Sequence, residues 1–562
     1  MEKKSPSQSS VSRRGFFRSA TTAVAVGSAL AGPSLIARNV YGKSGGSNGV
    51  DATRAIEAAE IRNAAAARHL EYTNALSAQL TSGDDERYAD EKYYACFTKT
   101  MPHNSFGEVF TNSYESLMSA CASGDPTDFD SIPLAPTAVR GLANPQGALR
   151  YIFAGLDGHA TRMLPAPAFR SAEAAAEMGE VYWLALTREV PFTQYGLNRL
   201  IGAAVSDLNR FSETVGPTGA RGRVNPQTLF RGETPGDLAG PYISQFLWKD
   251  VPYGPSTIVQ QYAEPTSGDF MLTNSSWVAI QRGEAPTTGT AYTGNARYIY
   301  NNRMLGEYVH GDVLFQAYFN AMLIALGYGS DAIGVGNPYG SVIDNQGGFT
   351  SLGGPWFIDL LTQAGNLALN GAWCHKWIHH RRCRPEVYAG RVHHHIRGNR
   401  TYELHEDILN SAVIDRIASL NGSHFLPMAY PEGSPTHPSY PAGHATVAGA
   451  CATVLKAVFN EDFVIPDPVI SRDGTALESY TGDALTLGGE FNKLANNIAL
   501  GRDAAGVHYR SDGVQGIYVG EQQAIALLQD YSTALNEEFG GFQFTKFDGT
   551  FITIINGQVI DS

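Results

Sequence analysis

The chain has 562 residues, of which 43% are hydrophobic, enough to bury one large core or several. Asp and Glu (54) outnumber Lys and Arg (41); the resulting net charge of −13 opposes contact with a phosphate backbone and excludes nucleic acid as an expected partner. Charged residues at 17% are too few for a coiled coil or for charge-driven disorder, and five cysteines, an odd number, exclude a fully paired disulfide scaffold.

In chain order, Ser12-Arg13-Arg14-Gly15-Phe16-Phe17 precedes an apolar, small-residue run from about Ala20 to Ala31, and Ala29-Leu30-Ala31 offers a cleavage site. Paired arginines before a weak hydrophobic stretch resemble the bacterial twin-arginine export signal, so residues 1–31 are expected to direct the folded protein to the periplasm or outside the cell. Their removal takes away Lys3, Lys4, Arg13, Arg14, Arg18 and Glu2 and leaves about −17. No later apolar run reaches the roughly eighteen residues of a membrane span, so no membrane insertion is expected.

Residues 32–50 end in Lys43-Ser44-Gly45-Gly46-Ser47-Asn48-Gly49-Val50, a flexible linker. An N-terminal helical region follows over 51–330. It opens with an Ala-rich helix from Asp51 to about Gln79 and has helical periodicity at 171–189 and 312–326. In the latter, Asp312 is the expected cap, with Val313, Leu314, Ala317, Met322 and Leu323 facing inward. A helical bundle is expected over 331–540, with helices at 443–459, 491–500 and 512–530. Gly- and Pro-rich loops cover 215–240, 252–298 and 327–355. Over 541–562, Phe542–Phe547, the turn Asp548-Gly549 and Thr550–Ile555 predict a hairpin. The fold class is therefore mainly α: a helical bundle with long loops and a small C-terminal β-hairpin.

Three segments of the C-terminal region converge on one chemistry. The first runs from Trp373 through Lys376 to Arg384-Pro385-Glu386. Lys376 and Arg384 are eight residues apart, about two helical turns, and share a face if the helix continues; Pro385 instead predicts that it ends near Arg384. In the second, His437-Pro438-Ser439-Tyr440-Pro441-Ala442-Gly443-His444-Ala445-Thr446, a loop feeds a small-residue helix whose first amide, at Gly443, is placed to bind an anion. The third, Arg502-Asp503-Ala504-Ala505-Gly506-Val507-His508, is followed by Asp512 one turn on, placed to orient the imidazole. Two arginines, a lysine and an amide would wrap a tetrahedral oxyanion, with a histidine on each side.

This constellation resembles the superfamily of vanadium haloperoxidases and type-2 phosphatidic-acid-phosphatase-like acid phosphatases. Its fuller strings, over 376–386 and 437–446, are similar to those of the algal and cyanobacterial vanadium-dependent bromoperoxidases. The resemblance is close over 370–530 and rests on length and helical character before 330. It implies one vanadate per subunit, with Lys376, Arg384 and Arg502 on its equatorial oxygens, the Gly443 amide adding a hydrogen bond, and His508 ligating vanadium. It implies that His444 is the acid–base residue, that Lys376 polarises bound peroxide, and that Trp373 and His437 lie at the halide pocket. The expected substrates are hydrogen peroxide, halide (bromide first, also iodide) and small organic acceptors. A homo-oligomer, a dimer or an assembly of dimers, is implied as well. One position departs from the pattern: the family's usual Ser before the Gly is Ala442, which removes a hydrogen bond worth about 1–2 kcal/mol to a charged oxyanion.

The same residues would serve a phosphatase in which His508 forms a phosphohistidine and His444 protonates the leaving group; a simple oxyanion-binding protein would have no use for two flanking histidines. Other features are expected to matter less. His375, His379 and His393-His394-His395 imitate a zinc cluster but lack a suitably spaced acid, and the triplet is expected to be solvated or at a subunit contact. Cys374 and Cys383 pair or lie buried as thiols. Asp344-Asn345-Gln346-Gly347 is oxygen-rich enough for calcium, although its spacing is not that of an EF-hand.

Overall fold

The computed structural model describes residues 59–60, 62–63, 79–339 and 345–561. The twin-arginine segment, the linker and nearly all of the Ala-rich helix expected from Asp51 lie outside them. Among the described residues, no single helix is long and apolar enough to cross a membrane.

The architecture is mainly helical. Helix α1 (Ala172–Thr187) is capped by Ser171, whose hydroxyl accepts from the Ala174 amide. Then come α2 (Asn302–Gly311), α3 (Gln316–Leu326), α4 (Gly354–Cys374), α5 (Pro385–Ile396), α6 (Gly443–Val458), α7 (Leu487–Ala504) and α8 (Arg510–Ser532). Helix α6 is built mainly of Ala, Gly, Val and Thr, and every residue except His444 is buried. A helix apolar on all sides belongs at the centre, and α4, α7 and α8 pack around it.

Small residues let α6 and α8 touch backbone to backbone. A Cβ on Gly449 would stand 2.1 Å from the Ile517 carbonyl oxygen, and one on Gly520 would stand 2.1 Å from that of Thr446. The N-termini of the two helices are therefore neighbours, and the Ala442 amide donates to the Asp512 carbonyl at 2.8 Å. One hydrophobic core surrounds α6 and runs from Ile152 to Ile554; a second surrounds α1 and includes Tyr388, Met428 and Val507. The first core is continuous across positions 330 and 541, where the sequence suggests boundaries.

Several elements differ from those expected. The helix expected over 312–326 starts four residues later, as α3 at Gln316, and Asp312 is the extended residue after α2 rather than an N-cap. Val313, placed in the turn between them, is 62% exposed. The stretch 252–298 is not all loop. It holds the ribbons β1 (Val251–Tyr253) with β2 (Ser256–Ile258) and β3 (Tyr262–Pro265) with β4 (Tyr292–Arg297), and a helix at Asn274–Gln281.

The C-terminal hairpin, β5 (Phe542–Thr545) with β6 (Phe551–Ile555), gains a third strand, β7 (Gln558–Asp561). Phe542, Phe544, Ile552 and Ile554 alternate inward onto the α6 core. The turn into β7 is Asn556-Gly557, with φ of 51° and 76°, a hairpin signal already present in the sequence.

Candidate functional site

The site lies where the two cores meet, at the N-termini of α6 and α8. Helix α4 runs into one π-helical turn, His375–His380, and then breaks; α5 starts afresh with Pro385 at its first position. Lys376 and Arg384 are thus not on one continuous helix face. Lys376 points inward from the π turn, Arg384 is the residue before α5, and the chain reversal between them brings both to the 437–444 loop.

Lys376, Arg384 and Arg502 are 0%, 0% and 4% exposed. The Lys376 ammonium donates to the carbonyls of Pro438 and Ser439 at 2.7 and 2.8 Å. Arg384 donates to the carbonyls of His437 and Val507 and to ring nitrogens of His437 and His508, at 2.7–3.0 Å. Arg502 donates to the Val309 carbonyl at 2.6 Å, and its Nε is buried without a partner. Among the described residues none of these three cations forms an ion pair, although Arg382 and Arg510 beside them do.

Burial, with Arg384 and Arg502 nearby, drives Lys376 well below its ordinary pKa. Burial also lowers Arg384. Buried cations without a directly paired carboxylate are costly, and an anion among them would relieve that cost beyond what nearby Asp512 supplies.

His508 is 1% exposed. Its Nδ1 donates to Asp512 Oδ2 at 2.8 Å, which leaves Nε2 as a lone pair facing the cage, where Arg384 now donates to it at 3.0 Å. Burial and the three cations hold the ring neutral, well below the usual histidine range. Asp512 is itself fixed by Arg382 at 2.9 Å, by the Ser439 hydroxyl and by the Tyr509 amide. Arg382 also holds Glu177 at 2.8 Å. A carboxylate holding the far nitrogen of a histidine is how ligating imidazoles are oriented.

His444, on the first turn of α6, is bound through Nε2 to Asp312 Oδ1 at 3.0 Å. Burial and Arg502 lower its pKa while Asp312 raises it, for a net lowering. The Trp373 ring packs 4.9 Å from His437, its N–H donates to the Ala143 carbonyl, and it stands over Gly443, where a Cβ would meet it at 3.4 Å. Ala442 is buried as the α6 cap residue, with no side-chain acceptor for the helix.

All nine residues singled out for the site (Trp373, Lys376, Arg384, His437, Gly443, His444, Arg502, His508 and Asp512) are thereby brought together. The roles of Arg382, Ser439 and Asp312 escape a reading of the sequence: Arg382 stands close to a chosen residue, but Asp312 lies 132 positions from His444 and carries no local signal. The His393-His394-His395 triplet is not a solvated patch. His393 and His394 are buried; His393 stacks on Phe425 at 4.1 Å and accepts from the His424 amide. His375, His379 and His380 contact one another, and no group of three or more His, Cys, Asp or Glu among the described residues could hold a metal ion. All five cysteines are buried free thiols. Asp344 lies outside the described residues, and Asn345, Gln346 and Gly347 are exposed.

Comparison with known proteins points the same way. The VCPO second helical-bundle domain family matches residues 359–537. The chain is 34% identical to a vanadium-dependent bromoperoxidase of Ascophyllum nodosum, over 89% of this chain and 92% of that one. It is 32% identical to one of Corallina officinalis, over 84% and 93%. The homohexameric structure of the second vanadate-dependent bromoperoxidase from A. nodosum superposes with a TM-score of 0.85 at 30% identity, covering 90% of this chain and 91% of that one.

Proposed function

The chain belongs to the vanadium-dependent bromoperoxidase family, and we propose that its buried cation cage holds vanadate, with which it oxidises halide, bromide first and iodide also, by hydrogen peroxide. The observation that carries this reading is the set of three buried cations without carboxylate partners around the lone pair of a neutral histidine. Vanadate, when bound, supplies a Lewis-acidic centre that activates peroxide toward halide and, in this family, yields a hypohalous-acid equivalent that halogenates small organic molecules.

The chain's own residues do the rest. Lys376, Arg384 and Arg502 bind and neutralise the oxygens, and the Gly443 amide at the start of α6 adds a donor. His508 Nε2 is the ligand atom, and Asp512 fixes its direction. His444, with Nε2 engaged by Asp312, accepts and returns a proton at Nδ1, and its lowered pKa leaves that atom free at neutral pH. With the anion bound, its charge would offset the effect of burial and let Lys376 hold a proton at Nζ. Trp373 and His437, packed ring to ring, would line the side of the pocket that receives halide. The cations are already gathered at the site, and an anion bound there would take over the Arg384 donor that rests on His508 Nε2.

The test is to assay apo protein with and without orthovanadate, across chloride, bromide and iodide, with phosphate as competitor. Bromination should require vanadate, and phosphate, of the same shape and charge, should slow reconstitution. Reconstitution indifferent to phosphate, or phosphate-ester hydrolysis in place of halide oxidation, would reject the reading.

We further infer export by the twin-arginine route to the periplasm or beyond, on the support of Arg13-Arg14 and the run after them. Replacing both arginines by lysine should retain the protein in the cytoplasm, and unchanged export would count against the signal. The homohexameric relative supports assembly into a homo-oligomer.

A further inference from the structure

Helix α2 ends directly over the cage. Its Val309 carbonyl accepts from Arg502 at 2.6 Å, and Asp312, just beyond the end, binds His444 at 3.0 Å. Between them stands His310, which the chemistry above does not use. Its Nε2 lies 2.8 Å from Glu432 Oε1, and its Nδ1 lies 3.7 Å from Glu307 Oε2. The ring stacks on Tyr430 with centroids 3.8 Å apart and planes 12° from parallel. Tyr430 in turn donates to the Gly306 carbonyl at 2.5 Å, and the Arg502 guanidinium lies 5.5 Å from the centre of its ring. The Glu432 carbonyl accepts from Lys99, which also binds Glu386 and the Ser434 carbonyl at the start of the loop carrying His437 and Gly443.

We propose that His310, clasped by Glu432 and stacked on Tyr430, is a positioning residue that sets Arg502 and His444 around the anion. The inference rests on reading the cage as a vanadate site. A single ring ties the end of α2, which supplies partners to both Arg502 and His444, to the 430–434 segment that leads into the site loop. A cation here also suits the C-terminal end of a helix.

The clasp is pH-dependent. The groups around the imidazole are Glu307 and Asp312 from its own helix end, Glu432 and Tyr430 opposite, Tyr292 of β4 beyond Glu307, Arg140 near Glu432, and Arg502 behind Tyr430. Burial disfavours the charged ring, but the bonds to Glu307 and Glu432 outweigh it and raise the pKa to about 9. A raised histidine pKa means that the stabilisation is complete below the unfolded value near 6.5 and is lost as pH rises through about 9.

The experiment titrates apo wild type, His310→Ala and His310→Arg with orthovanadate from pH 7 to 10 and follows amide hydrogen exchange of the same apo proteins. Arginine is planar, stacks on tyrosine, binds a carboxylate and does not titrate in this range. At pH 7 His310→Ala should bind about tenfold more weakly, the scale of a typical coupling between sites, and His310→Arg should bind like wild type. Above pH 9 wild type should fall behind His310→Arg. Exchange over 305–312 and 430–434 should quicken in His310→Ala alone. Equal binding and exchange by wild type and His310→Ala, or pH profiles of wild type and His310→Arg that superimpose, would overturn the clasp. Exchange that quickens as expected in His310→Ala, alongside a wild type that binds no vanadate, would uphold the clasp and reject the vanadate reading instead.

Discussion

His508→Ala should weaken vanadate binding by the apo protein more than about 100-fold, and bromination should be lost with it. The tautomer of the ring dictates this outcome. Asp512, itself held by Arg382, Ser439 and the Tyr509 amide, accepts the hydrogen bond from Nδ1–H and so keeps the proton on that nitrogen, which leaves the Nε2 lone pair facing the cations. Burial and the cage hold the ring neutral. A lowered histidine pKa means no proton must leave Nε2 at neutral pH, so the ligand is ready without a linkage cost. Loss of a second-layer partner of a metal ligand typically costs about 10–100-fold in affinity, and loss of the ligand itself should cost more than about 100-fold. Asp512→Asn, which keeps the shape but frees the tautomer, should fall within that lower range. Vanadate titrations of the three apo proteins decide the matter. An alanine variant within about tenfold of wild type would mean that the cations alone hold the anion and that His508 is not the ligand.

Gly520→Ala should destabilise the protein by about 3 kcal/mol, as over-packing of a closed core does, and should weaken vanadate binding without touching the cage. A Cβ there would lie 2.1 Å from the Thr446 carbonyl oxygen and 2.6 Å from the Ala450 nitrogen, both backbone atoms of α6 that no rotamer change can move. The two helices must part, and with them the Ala442–Asp512 bond that joins the α6 N-terminus to the His508 turn. Gly202, exposed on a helix over Arg199–Leu208, is the control, since a Cβ added there would meet nothing within 4 Å. At that position the same substitution should gain up to about 1 kcal/mol from helix propensity alone. Thermal unfolding of both variants tests the pair; Gly520→Ala as stable as Gly202→Ala would show that α6 and α8 have room to separate.

Much of the site could be read from sequence because its donors sit on short local devices. The 437–444 string is a proline-bounded loop that runs into a helix, and helix N-termini present amides whatever surrounds them. Asp512 reaches His508 because it stands on the first turn of α8 and folds back over the Tyr509 cap, whose amide it also holds, onto the residue just before it. Helices α1, α6, α7 and α8 followed from periodicity and small-residue content, both local properties.

Tertiary structure decided the rest. The sequence alone could not tell whether Lys376 and Arg384 share a helix face; a π turn and a break at 381–384 answer that, and packing against the 437–444 loop rather than propensity sets where they point. Asp312 looked like a helix cap, and only the approach of the α2 end to α6 made it the partner of His444. His393 and His394 looked solvated because histidine is polar, yet aromatic neighbours distant in the chain bury them. In each case the deciding contact joins residues far apart in sequence, and its energy comes from burial that exists only once the cores around α1 and α6 have closed on each other.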